Sequence, residues 1–292
     1  MNAKSEILKV PGARIYYEVR GSGPLLLMIP GGPADAGVFA DLAALLADRY
    51  TVVPYDPRGN SRSVLDGPPE DQRMDVHGDD AATLLAQLSG QPAYVLGSSG
   101  GAQIGLNLAA RYPERVHTLI AHEPPCLELL PDAAVQRAFL EGVYETYHTD
   151  GVGPAMQKFE AGTGLGGGSR RDAAASLPPE TQAAFGRIRG NLDFFLAHGL
   201  KPISFYIPHV AALRAGPARV VVGVGETSTG QLAHRAAVAL AERLGTAPVT
   251  FPGDHNGYGA QAATLAERLH QLIGQKSPKE RVDLRASGST TL

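Results

Sequence analysis

The chain has a single cysteine, Cys126, in 292 residues. No internal disulfide can form, and such sparing use fits a reducing compartment. Pro124-Pro125 precedes that cysteine and no helix start frames it, which argues against a nucleophilic thiol. Long apolar runs are also missing. Nothing approaches the roughly 18 consecutive apolar residues of a membrane-spanning helix. Met1 to Val10 is polar and lacks the apolar stretch of a signal peptide, so the expected location is cytoplasmic. An excess of one charge is absent too. Lys and Arg number 26 against 29 Asp and Glu, a net charge of −3 with no block of like sign. Neither nucleic acid nor a membrane surface is therefore expected as a partner. There is no internal repeat, no metal-ligand spacing and no phosphate-binding loop. The glycine-rich Gly162-Thr163-Gly164-Leu165-Gly166-Gly167-Gly168 follows no strand and precedes no Lys-Ser/Thr pair, so it reads as a flexible loop. No metal or other cofactor is implied.

What is present is ordinary globular composition, 43% hydrophobic and 19% charged, in a chain long enough to bury a large core. Ile7–Val10 and Ala13–Val19 read as an antiparallel hairpin at a sheet edge, split by Pro11-Gly12. Leu25-Leu26-Leu27-Met28-Ile29 is an unbroken apolar run, as expected of a strand covered on both faces. Val38, Phe39, Leu42, Leu45 and Leu46 then recur at helical spacing. The alternation continues through strand Thr51–Pro54, helix Asp75–Leu88, strand Ala93–Leu96, helix Ala102–Arg111 and strand Val116–Ala121. It lapses over residues 124–214, which hold amphipathic stretches and no convincing strand. It resumes with strand Arg219–Val224, helix Gln231–Leu244, strand Pro248–Phe251 and helix Ala260–Ile273. Buried strands alternating with helices predict an α/β fold with a mostly parallel central sheet. The core covers residues 1–123 and 215–276, a helical insertion 124–214, and a polar tail 277–292.

Within that plan, Gly97-Ser98-Ser99-Gly100-Gly101 lies directly between a buried strand and a helix. Strand, G-x-S-x-G, helix is the setting of a nucleophile elbow: a sharp turn that presents Ser99 at the sheet's edge, beneath a helix N-terminus. Ser98, at the x position, is not the expected nucleophile. A serine hydroxyl needs a general base, and the base needs an orienting acid. Of the nine histidines, His255 follows the last predicted strand, at the carboxyl edge where Ser99 also falls. An oxyanion hole would draw one N–H from Gly100 and another from Gly32, in the Pro30-Gly31-Gly32-Pro33 turn after the third strand.

Four pieces in order carry a resemblance: Gly31-Gly32-Pro33, Asp56-Pro57-Arg58-Gly59-Asn60-Ser61-Arg62-Ser63, the elbow at Ser99, and Asp254-His255. Over about residues 5–275 the chain resembles the α/β-hydrolase superfamily, whose members often carry a helical cap at the place of the insertion. The resemblance implies the α/β-hydrolase fold, a capped serine hydrolase and a Ser–His–acid triad. It departs from the pattern in two places. Pro30 stands where many members have histidine, and the turn Gly225-Glu226-Thr227-Ser228 has serine where the family's aspartate usually stands. A subset that includes zearalenone-type lactone hydrolases takes its acid from the end of the strand before the cap. That position here is Glu123, in Ala121-His122-Glu123-Pro124-Pro125, with Glu226 the less favoured acid. His122 reads as packing or hinge, and Asp56 and Arg58 as organisers of their loop.

The insertion carries half of the chain's Phe and Tyr side chains. Such residues mostly pack cap against core, and a roof of this kind suits an apolar acyl or ring substrate. The expected activity is hydrolysis of a carboxylic ester or lactone through an acyl-enzyme, with a small-molecule substrate as the partner and homo-oligomerisation left open. Proline iminopeptidase-like amide hydrolysis, cofactor-free perhydrolysis and C–C bond hydrolysis would use the same parts. A non-hydrolytic ligand receptor on the same fold is the reading from another class.

Overall fold

The computed structural model describes residues 3–165 and 179–274. Strand β1 (Lys4–Val10) and β2 (Ala13–Val19) pair antiparallel across the Pro11-Gly12 turn. The chain then enters the central sheet at β3 (Leu25–Ile29), all five of whose residues are buried. Burying one such side chain is worth about 1.5–3 kcal/mol, so this strand anchors the middle of the fold. A short helical turn leads into α1 (Ala40–Leu46), followed by β4 (Thr51–Pro54) and the two-residue β5 (Val64–Leu65). Next come α2 (Met74–Leu88), β6 (Ala93–Ser98), α3 (Gly100–Arg111) and β7 (Val116–His122).

The segment after β7 is helical: α4 (Ala133–Asp150), α5 (Val152–Thr163), α6 (Pro179–Phe194), a π-helical turn Phe195–Gly199, α7 (Leu200–Ser204) and α8 (Val210–Ala215). The alternation returns with β8 (Arg219–Gly225), α9 (Leu232–Leu244), β9 (Val249–Phe251), α10 (Gly257–Ala260) and α11 (Ala262–Ile273).

The central sheet is parallel throughout, in the order β4-β3-β6-β7-β8-β9. One apolar cluster joins α2, α3 and α9 to one face. A second seats α1 and α11 on the other. The chain is thus an α/β fold of the expected kind, with helices on both faces of a parallel sheet. A third cluster binds the helical insertion together through Leu140, Val143, Ala155, Leu196 and Leu200, and ties it to α9 through Leu232 and Ala236.

Several expectations are refined. The hairpin does not simply extend the central sheet; with β5 it makes a separate three-stranded sheet in the order β1-β2-β5. It meets the edge strand β4 only through isolated bridges, Arg20 to Val52 and Tyr17 to Tyr55. Two-residue β5 lacks the length that would make it visible in a sequence pattern. Gly162 and Thr163, read as loop, complete α5, and Gly164 caps it with a left-handed backbone at φ 78°. Gly166-Gly167-Gly168 and the polar tail 277–292 lie outside the described residues. No helix among the described residues is long and apolar enough to cross a membrane.

Candidate active site

Four strand ends converge at the carboxyl edge of the sheet. β6 runs into α3 through Ser99, which has φ 55° and ψ −126°. Such a backbone costs a non-glycine residue on the order of 1–3 kcal/mol and persists only where the surroundings fix it. Here the Ser99 N–H donates to the His122 carbonyl at 2.9 Å, and the Ser99 carbonyl accepts from Ala102 N–H at 2.9 Å. The neighbours leave no room for side chains. A Cβ on Gly101 would stand 2.1 Å from the Ile29 carbonyl oxygen, and one on Gly31 would stand 2.5 Å from the Ser99 Cβ. Glycine is required at both places because the β3 turn and the elbow touch backbone to backbone. The Ser98 hydroxyl is buried without a partner.

That contact sets the two glycines of interest side by side. A Cβ on Gly100 would lie 3.3 Å from the Gly32 amide nitrogen, so the two residues are close neighbours beside Ser99. Asn60, on the loop after β4, steadies the turn by donating through Nδ2 to the carbonyls of Gly32 and Ala34, at 3.0 Å each. Asn191 of α6 does the same from the insertion. It donates to the Pro33 carbonyl at 2.8 Å and accepts from the Ser61 N–H at 2.8 Å. Arg187 of α6 donates through Nε to the buried Asp35 carboxylate at 2.5 Å.

β7 leads directly into Glu123, again at positive φ (46°), whose N–H donates to the Gly223 carbonyl of β8 at 2.9 Å. The Glu123 carboxylate is fully buried and accepts from His255 Nδ1–H at 2.7 Å through Oε2. With the proton on Nδ1, Nε2 is the free base of the imidazole. Oε1 accepts from the Gly225 N–H at 2.8 Å and from the Ser228 hydroxyl. Burial alone would raise this carboxyl. The hydrogen bond and charge of His255, the nearby His122 and the Ser228 hydroxyl overcome it and hold the carboxyl at about 2.

His255 and Ser99 both line a cavity of about 630 Å³, together with Gly31, Gly32 and Gly100. The rest of the wall is largely apolar, drawn from core and insertion alike: Leu140, Met156, Phe159, Phe195, Ile203 and Leu232. The structure thus brings together Ser99, His255, Glu123, Gly32 and Gly100. Glu226 it leaves aside, exposed on the turn after β8 with its N–H on the Phe251 carbonyl.

His122 is buried against Phe251, ring centroids 5.6 Å apart, and burial pushes its pKa down to about 4. That is a packed neutral imidazole. Asp56 and Arg58 organise their loop as expected. Asp56 accepts from the Ala36 N–H and from Arg62, and Arg58 pairs with Asp80 through two contacts of 2.7 Å. Cys126 is buried and its thiol is pushed up to about 12, so it is no nucleophile. Among the described residues no group of three His, Cys, Asp or Glu is placed to hold a metal ion. Sequence reasoning missed Asn191, Arg187 and the bond from Ser228 to Glu123. Only the serine in the Gly225–Ser228 turn gave a signal.

Parallel sheet, strained serine elbow and buried Glu–His pair together define an α/β hydrolase. The alpha/beta hydrolase fold family model matches residues 24–156. The chain is 38% identical over 279 residues to the uncharacterized hydrolase YraK of Bacillus subtilis, covering 94% of this chain and 97% of that one. It belongs to the α/β-hydrolase family. It is also similar to the zearalenone hydrolase of Cladophialophora bantiana, 37% identical over 127 residues, 42% of this chain and 47% of that enzyme. Among solved structures, a hydrolase from Pseudomonas aeruginosa superposes with a TM-score of 0.73 at 21% identity, covering 93% of this chain and 98% of that one.

Proposed function

We propose that the chain is a serine hydrolase that cleaves a carboxylic ester or lactone with an apolar moiety through an acyl-enzyme. The observation that carries this reading is the buried 2.7 Å bond from His255 Nδ1 to Glu123, which leaves Nε2 as a base on the cavity that Ser99 lines. Ser99 Oγ attacks the carbonyl carbon and gives its proton to His255 Nε2. The oxyanion that forms accepts from the Gly32 and Gly100 N–H groups; one such donor is typically worth about 2.7–4 kcal/mol in the transition state. The C–O bond then breaks and the departing alkoxide takes the proton from His255. Water attacks the acyl-enzyme, passes a proton to His255, and the acid leaves as that proton returns to Ser99. For a lactone, the alcohol stays tethered to the released acid.

The cap role of residues 124–214 is part of the same proposal. The insertion supplies Leu140, Met156, Phe159, Phe195 and Ile203 to the cavity, a wall suited to an apolar group. Asp41 and Glu160 also line it, and among the described lining residues there is no Lys or Arg. Neutral esters should therefore outperform anionic ones of equal size. The likeness to the zearalenone hydrolase supports the lactone side of the reading. The test is turnover of a panel of aryl esters, lactones and prolyl amides by wild type and Ser99→Ala. Ester or lactone turnover lost in Ser99→Ala is expected. Turnover confined to amides, or unchanged in the variant, contradicts the proposal.

A further inference from the structure

Ser228 is fully buried and lies beside Glu123, although 105 residues separate them in the chain. Its hydroxyl has one proton and two acceptors within reach. One is the Glu123 carboxylate; the other is the Gly225 carbonyl at 3.0 Å. The carboxylate is both the nearer and the charged acceptor, so it takes the proton. Glu123 Oε1 is then held by two donors from a single turn, Ser228 Oγ and Gly225 N–H. With Oε1 pinned, the carboxylate plane cannot turn, and Oε2 stays on the His255 Nδ1–H. The turn is shaped around this contact: a Cβ on Gly225 would stand 2.8 Å from Ser228 Oγ. Strands β7 and β8 lie side by side in parallel register, His122 opposite Gly223. Glu123 and the Gly225–Ser228 turn therefore leave the sheet from adjacent strand ends.

We infer that Ser228 is a positioning residue whose hydroxyl aims the Glu123 carboxylate at His255. The inference rests on the reading of Ser99, His255 and Glu123 as a triad. A hydroxyl that only filled space could be removed without changing turnover per active site. A hydroxyl that aims the carboxylate could not.

The test measures kcat and KM on a p-nitrophenyl ester, active-site titre with a fluorophosphonate, and thermal unfolding. The proteins are wild type, Ser228→Ala and Ser228→Thr, the last of which keeps a hydroxyl. Ser228→Ala should lose about tenfold in kcat per titrated site with KM unchanged, the order expected for one hydrogen bond to a charged group. Ser228→Thr should recover most of that loss, since its hydroxyl can donate to the same carboxylate. Wild-type kcat per site in Ser228→Ala overturns the inference. So does a loss confined to titre and melting temperature, or a folded Ser228→Thr no more active than Ser228→Ala. A wild type that turns over no ester and takes no fluorophosphonate overturns the triad reading itself, and this inference with it.

Discussion

Ser61, Ser99 and Glu123 share a positive φ without being glycine, and two of the three belong to the site. Each such backbone costs on the order of 1–3 kcal/mol, so the surrounding structure must hold it. At Glu123 the holders are Gly223, Gly225, Ser228 and His255, which together leave the carboxylate charged and buried. Replacing it by Gln keeps the shape but puts an amide against the imidazole, favouring the wrong tautomer. Glu123→Gln should lower kcat roughly a thousandfold, whereas Glu226→Gln, on an exposed turn, should leave it within about twofold. Steady-state kinetics on one ester decides, and the reverse pattern would move the acid to Glu226. Ser99 and His255 were legible in the sequence because a tight strand–helix turn and a post-strand loop leave local marks, glycine at 97 and 101 above all. The carboxylate that meets His255 was legible only as a choice of two. What separates Glu123 from Glu226 is side-chain direction beyond two neighbouring strand ends, and sequence spacing carries no information on that. Ser228 stands where the family's aspartate usually does; its bond to Glu123 spans 105 residues and no local pattern encodes it.

At the scale of elements, α6 reaches from the insertion to the turn that holds Gly32. Asn191 bridges the Pro33 carbonyl and Ser61, and Arg187 pairs with buried Asp35. The position of Gly32 therefore depends on a helix about 160 residues further along the chain, since Asn191 and Pro33 are 158 apart. Asn191→Ala leaves the part-buried Ser61 N–H and Pro33 carbonyl without this partner and frees the turn. We expect kcat to fall about tenfold with a loss of roughly 1–3 kcal/mol in stability. Kinetics beside urea unfolding checks both, and unchanged kcat would show that the turn holds its shape alone. Strand and helix order was readable from alternating buried runs and 3.6-residue spacing. The separate β1-β2-β5 sheet was not, because two-residue β5 has no period and its register is set by pairing with β2, Ala13 to Leu65 and Arg14 to Val64.

For the molecule as a whole, two buried imidazoles make acid the vulnerable direction. Burial lowers His77 to about 3 and His122 to about 4. Both stay neutral in the folded chain, while the unfolded chain takes up protons on them below about pH 6.5. Their contribution to stability is whole above that pH and is lost as pH falls toward 4 and 3. For His122 alone the loss amounts to roughly 3 kcal/mol. Glu123, held at about 2, acts in the same sense below the ordinary carboxyl range, whereas Asp56 and Asp80, raised by burial, oppose it. Urea midpoints should be level above pH 7 and fall steadily from pH 6.5 to 5; a level profile across that span contradicts the neutral buried state of these imidazoles.

These scales meet at one oxygen, Ser99 Oγ, which a strained elbow presents to a cavity shared with a carboxylate-held imidazole. The most direct measurement is covalent labelling with a fluorophosphonate, located by peptide mass mapping. A single adduct on Ser99, abolished in Ser99→Ala and strongly slowed in His255→Ala, is the predicted result. No adduct on the folded wild type, or an adduct on another residue that survives Ser99→Ala, would contradict the assignment of Ser99 as the nucleophile.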